Sequence, residues 1–445
     1  MNLLEQIAAA GVVGCGGAGF PTHVKLKGNF EYLIVNGAEC EPLLRTDRYL
    51  MCHKAREIVE TVSALARELS IPHAVIGLKE HYSEEIAALR KAIEELNAPV
   101  ELHLFDSFYP AGDEQTIVHE VTGRVVPPAG LPSTVGAVVD NLATVYSVYQ
   151  ATQGHPFVKK YLTVTGEVNH PTILCVPIGT PIKRCIELAG GTKSDEYYLI
   201  AGGPMMGKPI DNVDTAVVTK TTSGILVLPA DGYHARQNAV PVRAMLNRAR
   251  SACIQCTTCS QLCPRHMLGH PLEPHKIMRK VAVGIDIKEL LNDPDVRNAQ
   301  LCCECGICEA YACPMGLQPR KINSLIKREL GAAGVRYERR ESEWTVNPLR
   351  EERKVPSERL AARVGVRKYY DYDIRELICD ELDEVRIPLK MNAGAPSEPV
   401  VQVGERVKMG DLIAKPREGA LGANIHASIS GRISAITDSV TITRD

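Results

Sequence analysis

Aromatic side chains are scarce in this 445-residue chain: they make up 5% of it, with one tryptophan and five phenylalanines. That scarcity argues against a flat aromatic platform for stacking bases or sugars. A charge excess is missing too. Lysine plus arginine number 51 against 53 aspartates plus glutamates, a formal net charge of -2, whereas a nucleic-acid binder normally carries a basic surplus. No run approaches about 18 consecutive apolar residues, so no membrane span is expected. The opening MNLLEQIAAAG shows no basic stretch ahead of an apolar one, so no secretory signal is expected and the chain is read as cytoplasmic.

What the sequence has in quantity is length and cysteine. At roughly 150 residues per domain the chain has room for about three domains, each with its own core. The apolar share of 45% is that of an ordinary globular protein. Fifteen cysteines in a chain read as cytoplasmic point to metal ligands or redox groups before disulfides. Nine of the fifteen fall between Cys253 and Cys313; the others are Cys15, Cys40, Cys52, Cys175, Cys185 and Cys379. The chemistry is therefore concentrated.

Two runs carry it. Cys253-x2-Cys256-x2-Cys259-x3-Cys263-Pro264 is followed by Cys302-x2-Cys305-x2-Cys308-x4-Cys313-Pro314. Three thiolates spaced in this way wrap one iron–sulfur cube, and the fourth, beside proline, leaves on the next segment to ligate the other cluster. The spacing thus assigns Cys253, Cys256, Cys259 and Cys313 to one [4Fe–4S] cluster, and Cys302, Cys305, Cys308 and Cys263 to a second. Zinc is the competing metal for CxxC pairs, but two complete runs each ending in Cys-Pro weigh against it. Four residues rather than three precede Cys313, and Cys303 is left over as a spectator. Two such clusters form a one-electron wire, which needs a donor and an acceptor.

Along the chain, residues 1–155 read as α/β: an amphipathic opening with Leu3, Leu4 and Ile7, a glycine loop, a buried strand at Tyr32–Val35, helical period over 54–69, a strand at His73–Leu78 and a helix at Ser83–Leu96. Residues 156–235 carry short strands separated by Gly and Pro turns, with a helix at Pro181–Ala189. Residues 240–335 are helical around the cysteines. Residues 336–385 are dense in charge and read as a solvated linker or surface helix, and 386–445 return to short strands. The loop Gly14-Cys15-Gly16-Gly17-Ala18-Gly19 formally contains GxGxxG, yet it follows a helix and ends in Phe-Pro-Thr, which does not fit a dinucleotide fingerprint. It does support a backbone nest open to a phosphate or a flat ring, or else a tight structural turn. His266, His270 and His275 read as ordinary surface or helix histidines.

The segment GCGGAGFPTHVK resembles the flavin loop of the NADH-binding subunit of respiratory complex I and of the Rnf-complex C subunit. Three more segments match in order: Asn36-Gly37-Ala38-Glu39-Cys40-Glu41-Pro42, Tyr109-Pro110-Ala111-Gly112-Asp113-Glu114 and Asp140-Asn141-Leu142-Ala143-Thr144. Cys15 and Asp140 stand where complex I usually has Arg and Asn. The resemblance implies that Gly14, Gly16, Gly17, Lys25, Asn36, Glu39, Glu41, Gly112, Glu114, Asn141 and Thr144 surround FMN. It also implies a multidomain α/β plus α+β fold: a Rossmann-like FMN domain (1–155), an SLBB β-grasp domain (156–235), a helical ferredoxin domain with two [4Fe–4S] clusters (240–335) and a lipoyl-like barrel-sandwich hybrid (386–445). The turn Gly422-Ala423-Asn424-Ile425-His426 has no lysine to modify, so a carrier role is not expected.

With the barrel-sandwich module C-terminal, and with NGAECEPLLRTDRYLM, nearly the whole chain resembles the cobalamin reductases of bacterial propanediol-utilisation microcompartments. That resemblance implies an enzyme that passes electrons from NADH through FMN and the clusters to cobalamin, with a corrinoid adenosyltransferase and a microcompartment shell protein as partners. The alternative is an Rnf C-like subunit that delivers electrons to a protein acceptor such as a ferredoxin, a flavodoxin or a shell protein. The residues themselves show no D-x-H-x-x-G run of the kind that supplies a corrinoid with an axial histidine.

Overall fold

The computed structural model describes residues 1–284, 286–339 and 343–445. In the run YLIVN the central residues alternate between two cores, Leu33 and Val35 facing one and Ile34 the other. A strand buried on both faces belongs inside a parallel sheet. Tyr32–Asn36 accordingly lies between His73–Lys79 and Ala137–Asn141, with Glu101–Phe105 at the edge, all four parallel. Helices Ala55–Glu68, Ser83–Leu96 and Leu142–Thr152 cover one face through Ile58, Val62, Leu89 and Val145. Glu114–Thr122 covers the other through Ile117 and Val118. Asn36, Lys79 and Asn141 come at the C-terminal strand ends, where ligands bind in open α/β sheets.

The opening helix Leu3–Ala9 is fixed by a reciprocal capping box between Asn2 and Glu5. Its Leu3 and Ile7 are buried in the core of the parallel sheet. This helix therefore packs on its own domain.

A second sheet of six strands has the order Leu377–Cys379, Thr172–Pro177, Lys159–Gly166, Gly224–Pro229, Tyr197–Ala201 and Lys208–Pro209. Helix Ile182–Leu188 closes its core. The cysteine-bearing region is built on helices Val242–Ala252, Pro274–Ala282 and Pro319–Ala332, which share a core of Met245, Ile277, Ile322 and Ile326. At the C-terminus a four-stranded antiparallel sheet and a three-stranded one enclose Ile387, Ile413, Ile433 and Ile442.

The stretch 336–385 differs from the solvated linker read from its charges; its residues 340–342 lie outside the described residues. Val355–Pro356 pairs antiparallel with Phe108–Tyr109, and Leu377–Cys379 adds a parallel edge strand to the six-stranded sheet. Between them, Leu360, Ala361, Val364, Val366 and Tyr369 are buried. Their apolar face is diluted by outward-facing charges such as Glu358 and Arg363, so composition hides it.

One side chain joins three of these regions. Lys220 is 1% exposed, and its ammonium donates to the carbonyl oxygens of Gly11 at 2.7 Å and Asn424 at 2.6 Å. Burial brings its pKa down to about 7. No helix among the described residues is long and apolar enough to cross a membrane.

Candidate functional site

The glycine loop closes on itself, Gly14 N donating to Phe20 O at 3.0 Å beside a bridge between Val13 and Pro21. One side is pressed against the start of helix Leu142–Thr152. Cys15 N donates to Thr144 Oγ1 at 2.9 Å, and a Cβ on Gly16 would come within 3.2 Å of Asn141 Cγ. On the other side a Cβ on Gly17 would meet nothing within 4 Å. The result is a backbone cradle with one open side. Asn141 caps the helix by accepting from Ala143 N at 3.1 Å and holds Asp47 Oδ2 at 2.8 Å through its amide.

Around this cradle the strand ends bring most of the sequence-predicted residues together. Asn36 Nδ2 donates to Gly112 O at 2.8 Å, and a Cβ on Gly112 would sit 3.0 Å from Cys40 Cβ, so only glycine fits there comfortably. Lys25 lies 2.5 Å from Glu114 and 3.9 Å from Asp140. Burial alone would lower the Lys25 pKa, but Asp140 and Glu114 outweigh it and hold the ammonium charged. Burial raises Asp140 to about 6 despite Lys25. Glu39 sits at φ +37° and its carboxylate accepts from Asp47 N and Arg48 N, capping helix Thr46–His53. Glu41 points elsewhere: it accepts from Met205 N at 2.8 Å and Met206 N at 2.9 Å on the turn of the six-stranded sheet, and burial raises its pKa to about 7.

Sequence reasoning missed two charged groups here. Lys79, the last residue of its strand, is 3% exposed and has no hydrogen-bond or ion-pair partner among the described residues. Burial pulls its pKa down. An ammonium held this way is costly unless an anion joins it. Asp47 is buried too, and burial followed by the neighbouring Glu39 raises its pKa to about 7. The only available signal was a lysine closing an otherwise apolar strand. An open glycine cradle at a helix N-terminus and a buried cation 5.7 Å from the centre of the Tyr82 ring together fit a flat anionic cofactor such as FMN.

Both cysteine runs fold the same way. Gln255 and Thr257 in the first, Glu304 and Gly306 in the second, all take positive φ, at the same two offsets from the leading cysteine. Cys253, Cys256, Cys259 and Cys313 line one cavity, so the structure groups them as the spacing does. In the second set Cys263, Cys305 and Cys308 are buried and Cys302 half-buried. Burial first, then Cys302 and Cys263 nearby, keep the Cys308 thiol well above its ordinary value. Backbone amides already point at sulfur: Glu304 N at 3.4 Å from Cys302 Sγ and Leu317 N at 3.4 Å from Cys313 Sγ. Among the described residues no three His, Cys, Asp or Glu converge as a single metal ion would need. Each set supplies four cysteines, one for each iron of a cube, which fits two [4Fe–4S] clusters.

The second set is tied directly to the cradle. Tyr109 Oη donates to Cys305 O at 2.8 Å. Arg265, two residues after Cys263, makes a two-pronged pair with Asp113 at 2.6 and 2.8 Å, both side chains largely buried. On the far side Arg320 joins Glu309 to Met205 O. His270, read from sequence as a surface or helix histidine, is in fact buried: its Nε2 lies 2.9 Å from Val126 O and burial drops its pKa to about 4. The Trp344 ring stands edge-on to it, centroids 6.4 Å apart, a contact that local sequence does not reveal. His266 and His275 lie on helices as read.

Comparison with known proteins places four family models in order along the chain: the Nuo51 FMN-binding domain over 7–150, the SLBB domain over 161–209, a 4Fe-4S dicluster domain over 252–318 and the RnfC barrel sandwich hybrid domain over 372–445. The chain is 41% identical over 450 residues to the cobalamin reductase PduS of Salmonella typhimurium, covering 100% of this chain and 96% of that protein. It is 40% identical over 449 residues to the PduS of Citrobacter freundii, with the same coverage, 100% and 96%. The C subunit of the ion-translocating oxidoreductase complex of Rhodobacter capsulatus is 37% identical over 270 residues, which is 59% of this chain and 49% of that one.

Proposed function

The chain belongs to the family of the cobalamin reductase PduS, and from that premise we propose that it is an NADH-dependent flavo-iron–sulfur oxidoreductase that reduces cobalamin. Bound FMN supplies the change from a hydride, which carries electrons as a pair, to single electrons, and bound [4Fe–4S] clusters carry them one at a time.

Gly14, Gly16, Gly17, Lys25, Asn36, Glu39, Gly112, Glu114, Asn141 and Thr144 would hold FMN, with Lys79 as the buried cation against its negative charge. Glu41 takes a different part, fixing the Met205–Met206 turn against the flavin region. Cys253, Cys256, Cys259 and Cys313 would hold one cluster; Cys302, Cys305, Cys308 and Cys263 the other. The observation that carries the reading is the direct bonding of the Tyr109–Glu114 segment to the second set, through Tyr109 to Cys305 and Asp113 to Arg265. On this reading the Cys302–Cys263 set lies inward, next to the flavin residues, and the Cys253–Cys313 set outward. A corrinoid adenosyltransferase as consumer of the reduced corrinoid, a shell protein as neighbour, and a cytoplasmic location within a bacterial microcompartment complete the reading on the strength of family membership.

The test is an anaerobic spectrum of protein reconstituted with FMN, iron and sulfide, taken before and after NADH and then after hydroxocobalamin. Bleaching by NADH followed by growth of the cob(II)alamin bands is the expected result. No bleaching, with FMN and iron verified as bound, would sink the NADH assignment.

A further inference from the structure

The two cysteine sets differ in how they meet solvent. Cys263, Cys305 and Cys308 are buried, whereas Cys256 is exposed and Cys253, Cys259 and Cys313 are half-buried. The cavity of the exposed set opens beside Ile254, 61% exposed, and Met315, 40% exposed. Large apolar side chains at a mouth of this kind stay wet unless a partner covers them.

Arginines gather around this cavity. Arg248 reaches Gly316 O at 3.4 Å, between the lining residues Met315 and Leu317. Arg279 follows the lining residue Met278 on helix Pro274–Ala282 and is exposed. Arg250, on the helix that ends at Cys253, reaches Gly284 O at 3.4 Å. None of the three arginines has an acidic partner among the described residues. Of the acids nearby, Glu273 and Asp295 are engaged with Lys276 and Asp293 with Lys280, while Asp286 and Glu289 stay exposed beyond Gly284. The whole chain is nearly neutral, so this local surplus of guanidinium groups is a property of the face.

We propose that this face, with Arg248, Arg250 and Arg279 around the exposed Ile254 and Met315, docks an acidic protein that carries the electron acceptor at its surface. The proposal rests on the reading of the Cys253–Cys313 set as the outer end of the electron path. Arginine rims set the approach and orientation of an acidic partner, and the apolar centre excludes water once it lands. The balance is simple: one NADH becomes NAD+ and a proton, and two partner molecules each gain one electron. Free corrinoid in solution has no acidic face for this rim to recognise.

The experiment uses the reconstituted holoprotein and an acidic flavodoxin as probe, with basic cytochrome c as the opposite-charge control. Binding to immobilised flavodoxin is measured at low and high ionic strength, and reduction of each probe by NADH is followed separately. The expected result is flavodoxin binding that weakens with salt, and faster reduction of flavodoxin than of cytochrome c. Arg248→Glu/Arg279→Glu should lower flavodoxin binding by about tenfold or more and reverse the preference between the two probes. Arg248→Gln/Arg279→Gln removes charge without reversal and reads out the same effect, smaller, if the first variant loads iron poorly. Binding that is absent, or indifferent to salt and to both variants, overturns the proposal. Failure of NADH to bleach the holoprotein counts against the enzymatic reading instead, while the binding measurement still decides the docking face.

Discussion

The hydroxyl of Tyr109 donates a hydrogen bond to the carbonyl oxygen of Cys305 at 2.8 Å, both groups being buried. Tyr109 belongs to the segment that leads into Gly112 and Glu114, and Cys305 to the second cysteine run, 196 residues further on. A flavin-side residue and a cluster-side residue are thus held in one hydrogen bond.

Tyr109→Phe leaves that carbonyl without its donor. The loss should cost about 1 kcal/mol of stability, the usual range for a single buried hydrogen bond. Thermal unfolding of the reconstituted protein measures it, and a shifted cluster spectrum with unchanged iron content would place the effect at the second set.

The Arg265–Asp113 pair is two-pronged and its side chains are 10% and 14% exposed. Removing one partner strands the other, so Arg265→Ala should destabilise by about 3–5 kcal/mol. Arg265→Lys keeps the charge but loses the fork and should fall in between. Chemical denaturation of the three proteins, side by side, gives the ranking.

Crossed ligation of the two runs makes a specific pattern of iron loss. Cys313→Ser and Cys256→Ser should abolish the same paramagnetic signal of the reduced protein, while Cys263→Ser abolishes the other. Each variant should keep roughly half the iron of the parent. Cys313→Ser matching Cys308→Ser instead would mean that each run holds its own cluster.

Lys79→Met should act in two directions. Without FMN the variant gains stability, because a buried ammonium with no hydrogen-bond or ion-pair partner among the described residues is gone. With FMN, affinity should fall about tenfold, the worth of a charge-assisted hydrogen bond. Flavin fluorescence titration and melting of the FMN-free protein separate the two.

Asp47 has its pKa raised to about 7 in the folded chain by burial and by Glu39, above its ordinary value of 3.8. The folded state therefore holds more protons than the unfolded one between those values. The stability this contributes is fully present below the ordinary value and is lost as pH rises through about 7. Because Asp47 and Glu39 share the burden, the pair titrates together. Asp47→Asn should flatten the fall in melting temperature of the FMN-free protein between about pH 5 and pH 8.

Local sequence made much of this legible. The strands at Tyr32 and His73, the helix at Ser83–Leu96 and the grouping of Cys313 with the first run all follow from period and spacing, which act over a few residues. What escaped depends on distant partners. Glu41 sits among candidate flavin residues in sequence, yet its carboxylate serves amides 164 and 165 positions away. Lys79 looks like a solvated strand end until the fold closes over it. The 336–385 stretch carries enough charge to mask the apolar face of Leu360, Val364 and Tyr369, and its strands are edge additions whose partners come from other regions.

Lys220 has a consequence for how the molecule is made. Its two carbonyl partners, on Gly11 and Asn424, lie 209 and 204 positions away in opposite directions. The junction closes only once synthesis has passed Asn424 and that residue has left the ribosome. Until then the Gly11 segment lacks a neighbour and the ammonium lacks one of its two acceptors. Biosynthesis therefore includes a late locking step: a module that emerges later completes the seating of one made well before it.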